Sequence, residues 1–214
     1  MARLSVAVLI SGRGSNLQAL IDACAERSFP AEIRLVLSNR GDAQGLARAT
    51  RAGIATQVIP HRDYRTRDDF DMALDRALHA ADIELVCLAG FMRLLGKDFV
   101  ERWRDRLINI HPSLLPEFRG LDTHRRALAA GVPFAGCSVH YVRAEVDDGP
   151  IIVQRKVPVL PGDDEAALAA RVLEAEHQAY PLALRLIAEQ RVRIRDERVE
   201  LRDNDGGWRD ALSA

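Results

Sequence analysis

The first half of the chain alternates short apolar runs with segments that carry a helical pattern. Five apolar runs predict strands, the first of them buried: Ser5–Ile10, Glu32–Leu37, Thr56–Ile59, Glu84–Ala89 and Leu107–Ile110. The segments between them predict four helices: Asn16–Arg27, Ala43–Ala52, Thr66–Ala80 and Lys97–Trp103. This rhythm predicts a mostly parallel sheet with right-handed crossovers, and the continuous apolar strands indicate helices on both faces. We therefore expect a Rossmann-like α/β fold.

The pattern changes after residue 104. A helix is predicted over Thr123–Ala130, and two strands follow it, Gly136–Val142 and Ile151–Val157, which could pair antiparallel at a sheet edge. A long amphipathic helix is predicted over Glu165–Glu189. Pro181 lies inside this helix, so we expect a kink or a break there.

The C-terminal segment predicts a small hairpin. Arg191–Arg195 and Arg198–Arg202 alternate apolar and polar residues on either side of Asp196-Glu197, which would form the turn. No linker or repeat separates domains, so one domain is expected. Its predicted parts are residues 1–103, residues 104–190 and the hairpin of residues 191–202.

Composition excludes several classes of protein. The 214 residues carry a net charge of -1 and no basic stripe, which argues against a nucleic-acid binder. No apolar run reaches the roughly 18 residues of a membrane span, and the N-terminus shows no signal-peptide pattern. The three cysteines are widely spaced, as expected for buried thiols in a reducing compartment. We therefore expect a cytoplasmic protein that binds neither nucleic acid nor membrane.

A polar motif ends the fifth predicted strand. It reads Asn109-Ile110-His111-Pro112-Ser113-Leu114-Leu115-Pro116, and a carboxylate, Asp147, arrives later on a Gly-Pro turn. Residues i and i+2 of an extended segment point to the same side, so Asn109 and His111 can face one point. An amide can donate to an oxyanion, an imidazole can exchange a proton, and a carboxylate can accept one. These groups suit acyl transfer without a side-chain nucleophile; the alternative is an Asn that caps a His-Pro turn.

A glycine-rich loop follows the first strand and opens the first helix. It reads Gly12-Arg13-Gly14-Ser15-Asn16, and a helix N-terminus with nearby glycines suits a phosphate group. The P-loop is excluded because the loop lacks its lysine. The dinucleotide fingerprint fits poorly because Leu17 replaces its third small residue and Ser38-Asn39 replace its acid. A tight turn capped by Ser15 or Asn16 remains the alternative.

These motifs, together with Leu88-Ala89-Gly90-Phe91-Met92-Arg93 and Glu176-His177, resemble the folate-dependent formyltransferases from Val6 to about Glu189. The resemblance implies transfer of the formyl group of 10-formyltetrahydrofolate, as a cosubstrate, to the amine of glycinamide ribonucleotide in purine synthesis. Asn109 and protonated His111 would stabilise the oxyanion, and Asp147 would orient or charge His111 and accept the amine proton.

The resemblance also implies the binding residues. Residues 1–103 would hold the ribonucleotide, with its phosphate on Gly14, Ser15 and Asn16. Residues 104–190 would be the folate-binding and catalytic half. Glu176 would bind the ribose, although sequence alone favours a solvated helix face. Met92 would lie between the substrates, although a Phe-Met pair would otherwise be assigned to the core. The implied folate contacts are Arg93, Leu94, Leu95, Val142, Arg143, Ala144, Glu145, Val146 and Asp147.

Two departures from the family pattern concern the folate loop, Val142–Asp147. Asp122 stands where relatives often have His, and Ala144 stands where an acid is common. The other histidines have weaker claims to chemistry, and none has metal-ligand spacing, so no metal is predicted. They are His61, His79, His124 and His140.

Three other functions share this fold. A formyltetrahydrofolate hydrolase would usually carry an N-terminal regulatory domain, and a methionyl-tRNA formyltransferase would carry a C-terminal RNA-binding barrel. The chain has room for neither. A nucleotide-binding sensor is the non-enzyme alternative, which fold alone does not exclude. The expected partners are therefore the two small substrates, with the protein a monomer or a homodimer.

Overall fold

The main sheet contains seven strands. In the computed structural model, which describes residues 2–203 and 205–212, they are β1 (Leu4–Ile10), β2 (Ala31–Ser38), β3 (Ala55–Val58), β4 (Leu85–Leu88), β5 (Leu107–His111), β6 (Phe134–Tyr141) and β7 (Ile151–Pro158). Their order is β3-β2-β1-β4-β5-β6-β7. β1 pairs parallel with β2 and β4, β2 with β3, and β4 with β5, whereas β6 and β7 pair antiparallel. The predicted Rossmann-like α/β fold and its antiparallel edge are confirmed.

Six α-helices connect or follow these strands: α1 (Ser15–Ala25), α2 (Gln44–Arg51), α3 (Arg67–Ala80), α4 (Lys97–Arg102), α5 (Thr123–Ala130) and α6 (Glu165–Ala188). Side chains cap two of them at the N-terminus. Thr66 accepts from the N–H of Asp69 before α3, and Asp164 accepts from the N–H of Ala167 before α6. α6 continues through Pro181, so the break allowed for there does not occur.

The C-terminal segment forms a separate three-stranded antiparallel sheet. Its strands are β8 (Val192–Arg195), β9 (Arg198–Arg202) and β10 (Trp208–Asp210), in the order β10-β9-β8. The predicted hairpin is confirmed, with Asp196 and Glu197 at its turn. Strand β10 is not predicted from the sequence because three residues with a single apolar side chain carry no alternation.

The chain divides into two compact units, Met1–Asn109 and Ile110–Ala214. In the first unit, residues Val6–Ile10 of β1 are fully buried, as expected for a strand covered on both faces. In the second unit, α6 packs against β6 and β7 and buries Tyr180. Within the described ranges, none of the helices has both the length and the apolar character needed to cross a bilayer.

Candidate active site

Strand β5 carries both polar residues of the predicted acyl-transfer motif. Asn109 is half-buried and His111 is 5% exposed, and the intervening Ile110 is buried in the core. Because side chains alternate along a strand, Asn109 and His111 share one face of β5. The Asn therefore belongs to the strand.

His111 is held between two oxygen acceptors. Its Nδ1 lies 3.3 Å from Oδ2 of Asp147, and its Nε2 lies 3.1 Å from the carbonyl oxygen of Phe118. A neutral imidazole has one N–H, so only the imidazolium can donate to both acceptors. Burial nevertheless lowers the pKa of His111, and the Phe118 carbonyl and the Asp147 charge offset this only in part.

Asp147 is surrounded by donors. The N–H of Gly120 donates to Oδ2 at 2.9 Å, and Nε2 of His140 lies 3.6 Å from Oδ1. Burial by itself would raise the pKa of the Asp147 carboxyl, but the close imidazole of His140, the hydrogen bond from Gly120 and the nearby His111 outweigh it, so the pKa is lowered. The carboxylate is therefore kept ionised beside His111.

The turn after β5 is fixed by a buried hydroxyl on β6. Ser138 donates to the carbonyl of Ser113 at 2.7 Å and accepts from the N–H of Leu115 at 3.0 Å. Nε2 of Gln154 donates to the same hydroxyl and to the carbonyl of Leu115. This network orders the Pro-Ser-Leu-Leu segment and so limits the positions that His111 can take.

The alternative for the glycine loop was a tight turn capped by Ser15 or Asn16, and the structure shows a different N-cap. Gly14 is the N-cap of α1, with a φ of 71°, and no side chain caps the helix. Ser15 and Asn16 therefore occupy the first helical positions, where helix N–H groups point outward. A Cβ at Gly14 would lie 2.7 Å from Cα of Gly45 on α2, so this position needs glycine for packing as well as for its backbone conformation.

The loop after β4 lies beside the glycine loop, within the first unit. Ser11 connects the two, because its N–H donates to the carbonyl of Gly90 and its hydroxyl accepts from the N–H of Met92 at 2.7 Å. Between β1 and β4 the strand order reverses, and ligands of open α/β sheets bind at such a reversal. Met92 is 68% exposed there, so it is not a core residue. Its neighbours Arg93 and Leu94 are also exposed, and Leu95 is half-buried.

Glu176 is buried on α6, at 7% exposure, so the alternative of a solvated helix face is wrong. It lies close to Cys137 of β6, since burial first and the charge of Glu176 second raise the pKa of that thiol to about 12. The ribose contact remains a prediction.

The predicted folate loop connects β6 to β7. Ala144, Glu145 and Val146 are exposed at its tip, whereas Arg143 is buried and Val142 and Asp147 are half-buried. Asp122, the other departure from the family pattern, is the N-cap of α5. It has a φ of 57° and pairs with Arg125.

His140 also belongs to this site, although the sequence did not predict it. His140 was assigned no chemistry, yet it is 2% exposed and faces Asp147. Its alternation with Val139 and Tyr141 placed it on a strand but gave no information about its partner. In the part of the chain that is described, no three His, Cys, Asp or Glu side chains are grouped so as to hold a metal ion.

Comparison with known proteins places this chain in a family. The sequence pattern described as Formyl transferase matches residues 4–184. Phosphoribosylglycinamide formyltransferase of Escherichia coli is 46% identical over 193 residues, which cover 90% of this chain and 91% of that protein. The structure of glycinamide ribonucleotide transformylase 1 from Symbiobacterium toebii superimposes with a TM-score of 0.92 at 48% identity, covering 94% of this chain and 95% of that one.

The trifunctional purine biosynthetic protein adenosine-3 of Gallus gallus is 51% identical over 192 residues, which are 90% of this chain. The chain spans only 19% of the length of that relative. The chain belongs to the formyl transferase family, within the branch that contains the phosphoribosylglycinamide formyltransferases.

Proposed function

We propose that the chain is a phosphoribosylglycinamide formyltransferase, which transfers the formyl group of 10-formyltetrahydrofolate to the amine of glycinamide ribonucleotide in purine synthesis. Two relatives that match this chain over nearly their whole length are named phosphoribosylglycinamide formyltransferase and glycinamide ribonucleotide transformylase 1. The folate is a cosubstrate that is consumed in each turnover, and the reaction uses no metal. The proposal includes a cytoplasmic location and a monomer or homodimer that binds only these two small substrates.

The observation that carries this proposal is the arrangement of hydrogen-bond donor and acceptor in the His111–Asp147 pair. His111 Nε2 lies within hydrogen-bond distance of the carbonyl oxygen of Phe118. Asp147 Oδ2 accepts a hydrogen bond from the backbone N–H of Gly120. A formyl transfer to an amine presents the same two groups, a carbonyl oxygen and an N–H. We therefore expect the formyl oxygen to replace the Phe118 carbonyl and the amine to replace the Gly120 N–H.

In the proposed reaction the amine attacks the formyl carbon directly. Asn109 and protonated His111 donate to the oxygen as it becomes negative, and preorganised donors of this kind stabilise a tetrahedral intermediate. Asp147 accepts the amine proton, directly or through water, and favours the charge on His111. The bond from the formyl carbon to the folate nitrogen then breaks, and the proton that Asp147 accepted passes to this nitrogen, directly or through water, which leaves tetrahydrofolate and the formylated amine.

The two substrates are assigned to separate sets of residues. Gly14, Ser15 and Asn16 hold its phosphate at the N-terminus of α1, which favours an anion. Glu176 binds the ribose. Met92 lies between the substrates, and Arg93, Leu94, Leu95 and the loop Val142–Asp147 contact the folate.

The test is an absorbance assay of folate turnover with purified protein. With 10-formyltetrahydrofolate and glycinamide ribonucleotide, we expect turnover that depends on the amine and is unchanged by EDTA. Formate release without any amine would instead support the hydrolase alternative, and binding without turnover would support a nucleotide sensor. Loss of activity in EDTA would contradict the metal-free assignment.

A further inference from the structure

The C-terminal sheet is tied to the predicted folate loop by an ion pair. Nε of Arg143 donates to Oε2 of Glu197 at 2.6 Å, with the Arg143 side chain 8% exposed and that of Glu197 55% exposed. Arg143 also donates to the carbonyl of Val142 in its own loop. Separating this pair would take a carboxylate partner away from a buried guanidinium, which is costly.

Glu197 occupies a position where its residue type is unfavourable. Both turn residues of the β8–β9 hairpin have positive φ, 49° for Asp196 and 55° for Glu197. Two-residue hairpin turns of this kind favour Asn or Gly, and a glutamate there costs backbone energy. The turn therefore retains a strained residue whose carboxylate reaches Arg143.

The segments on both sides of this ion pair are packed against neighbouring elements. At the base of the folate loop, the N–H of Tyr141 donates to the carbonyl of Pro150 at 2.9 Å. Gly149 fits so closely that a Cβ there would lie 1.7 Å from the carbonyl oxygen of Tyr141 and 3.3 Å from Cγ of Arg143. Strand β9 of the C-terminal sheet packs against β7. The ion pair thus joins a fixed sheet to the loop that carries Asp147.

We propose that Glu197 is a positioning residue, which acts through Arg143 to hold the loop Val142–Asp147 in the conformation that binds folate and presents Asp147. This inference rests on the proposed function for its kinetic consequence. Residues 192–210, which form the C-terminal sheet, lie beyond residues 4–184, which match the family pattern, so the ion pair joins the matched part of the chain to the segment that follows it.

A competing role for Arg143 makes the opposite prediction. If its guanidinium bound an anionic group of the folate, Glu197 would compete with that group. Removing Glu197 would then free Arg143 and lower the KM for the folate. If Glu197 positions the loop, its removal raises that KM. The sign of the change therefore separates the two roles.

The test compares two variants with a matched control on the same hairpin. Glu197→Ala removes the carboxylate, and Glu197→Gly removes it while relieving the positive φ, so that the hairpin stays folded. Glu200→Gln is the control, because Glu200 pairs with Arg193 within the hairpin and not with the loop. We expect both Glu197 variants to raise the KM for the folate roughly tenfold, the scale of one lost charge-assisted hydrogen bond. The KM for the ribonucleotide should stay unchanged, and Glu200→Gln should resemble the wild type.

Hydrogen exchange gives a readout that does not need turnover. The amides of residues 142–147 should exchange faster in Glu197→Gly, with β9 amides unchanged. An unchanged loop exchange, a lower KM for the folate, or equal effects of the Glu197 and Glu200 variants would each overturn the proposal. An inactive wild type would refute the proposed function alone, since loop exchange would still decide the role of Glu197.

Discussion

At the scale of single residues, two opposed effects act on the proton of His111. Burial lowers its pKa, whereas the acceptors on its two nitrogens, Phe118 O and Asp147 Oδ2, favour the imidazolium. Asp147 remains ionised because His140 and Gly120 stabilise its charge. A charged His111 thus depends on its neighbours, and these are the groups whose removal should slow the reaction most.

Removing any of the three polar groups should lower turnover far more than substrate binding. We expect His111→Ala and Asp147→Asn to reduce kcat by several orders of magnitude, since both act on charge in the transition state. Asn109→Ala should reduce it by roughly 100-fold or more, the cost of one oxyanion donor. Asp148→Asn is the matched control, because Asp148 pairs with Arg119. Steady-state kinetics decide the matter, and near-wild-type kcat in any of the three would refute its role.

At the scale of elements, the ends of helices and strands position the predicted binding groups. The backbone of Gly14 starts α1 without a side-chain cap, which leaves Ser15 and Asn16 in its first turn. Ser11, which precedes the glycine loop, accepts a hydrogen bond from the N–H of Met92 in the loop after β4. On α6, the carboxyl-bearing Glu176 is buried. Each proposed substrate contact therefore lies on one element, so a single substitution can test it.

Gly14→Val should weaken binding of the phosphate of the ribonucleotide. The new side chain would meet the backbone of Gly45 and force a positive φ on a β-branched residue. Gly12→Ala is the control, because nothing lies within 4 Å of a Cβ there. The measurement is the KM for the ribonucleotide and for its dephosphorylated form. A variant that still prefers the phosphorylated substrate as strongly as the wild type would argue against a phosphate site in this loop.

Glu176→Gln should raise the KM for the ribonucleotide by about one order of magnitude, because charge-assisted bonds to two hydroxyls would be weakened. Affinity for a folate analogue should hardly change. Glu174→Gln, on an exposed position of the same helix, is the control. Calorimetry with each ligand separately gives the answer. Lost folate affinity with intact ribonucleotide affinity would assign Glu176 to the other substrate.

At the scale of the whole molecule, buried histidines couple folding to pH. Burial is the largest cause of the lowered pKa of both His111 and His124, whose ordinary value is 6.5. Below that value the unfolded chain binds more protons than the folded one. The stability that these residues contribute is therefore complete above pH 6.5 and is lost as the pH falls through their lower folded values.

Urea unfolding at about pH 7.5 and about pH 5.5 should show a smaller free energy of unfolding at the lower pH. His124→Gln should lose less stability over this interval than the wild type, because it removes one of the two groups. His79→Gln is the control, since its side chain is exposed. A free energy that rises towards pH 5.5, or an equal loss in His124→Gln and the wild type, would contradict this coupling.

The sequence by itself determined the fold class, the bounds of most elements and the family. Apolar strands and amphipathic helices have periods that are local, so patterns such as those of β1 and α5 are visible in the chain. The spacing of Asn109 and His111 is also local, because alternation along β5 puts both on one face. Pro181 shows the limit of such rules, since a kink or a break is expected there, yet α6 continues through it while packed on its sheet.

Only the tertiary structure decided which distant groups meet. Nothing local brings His140 or Gly120 to Asp147, or joins Glu197 to Arg143 across 54 residues. The tertiary structure also decided which side chains are buried. Met92 is exposed and Glu176 is buried, and burial lowers the pKa of His111. Periodicity reports which face of an element is apolar, but contacts, desolvation and proton affinity arise from the elements that pack against that face.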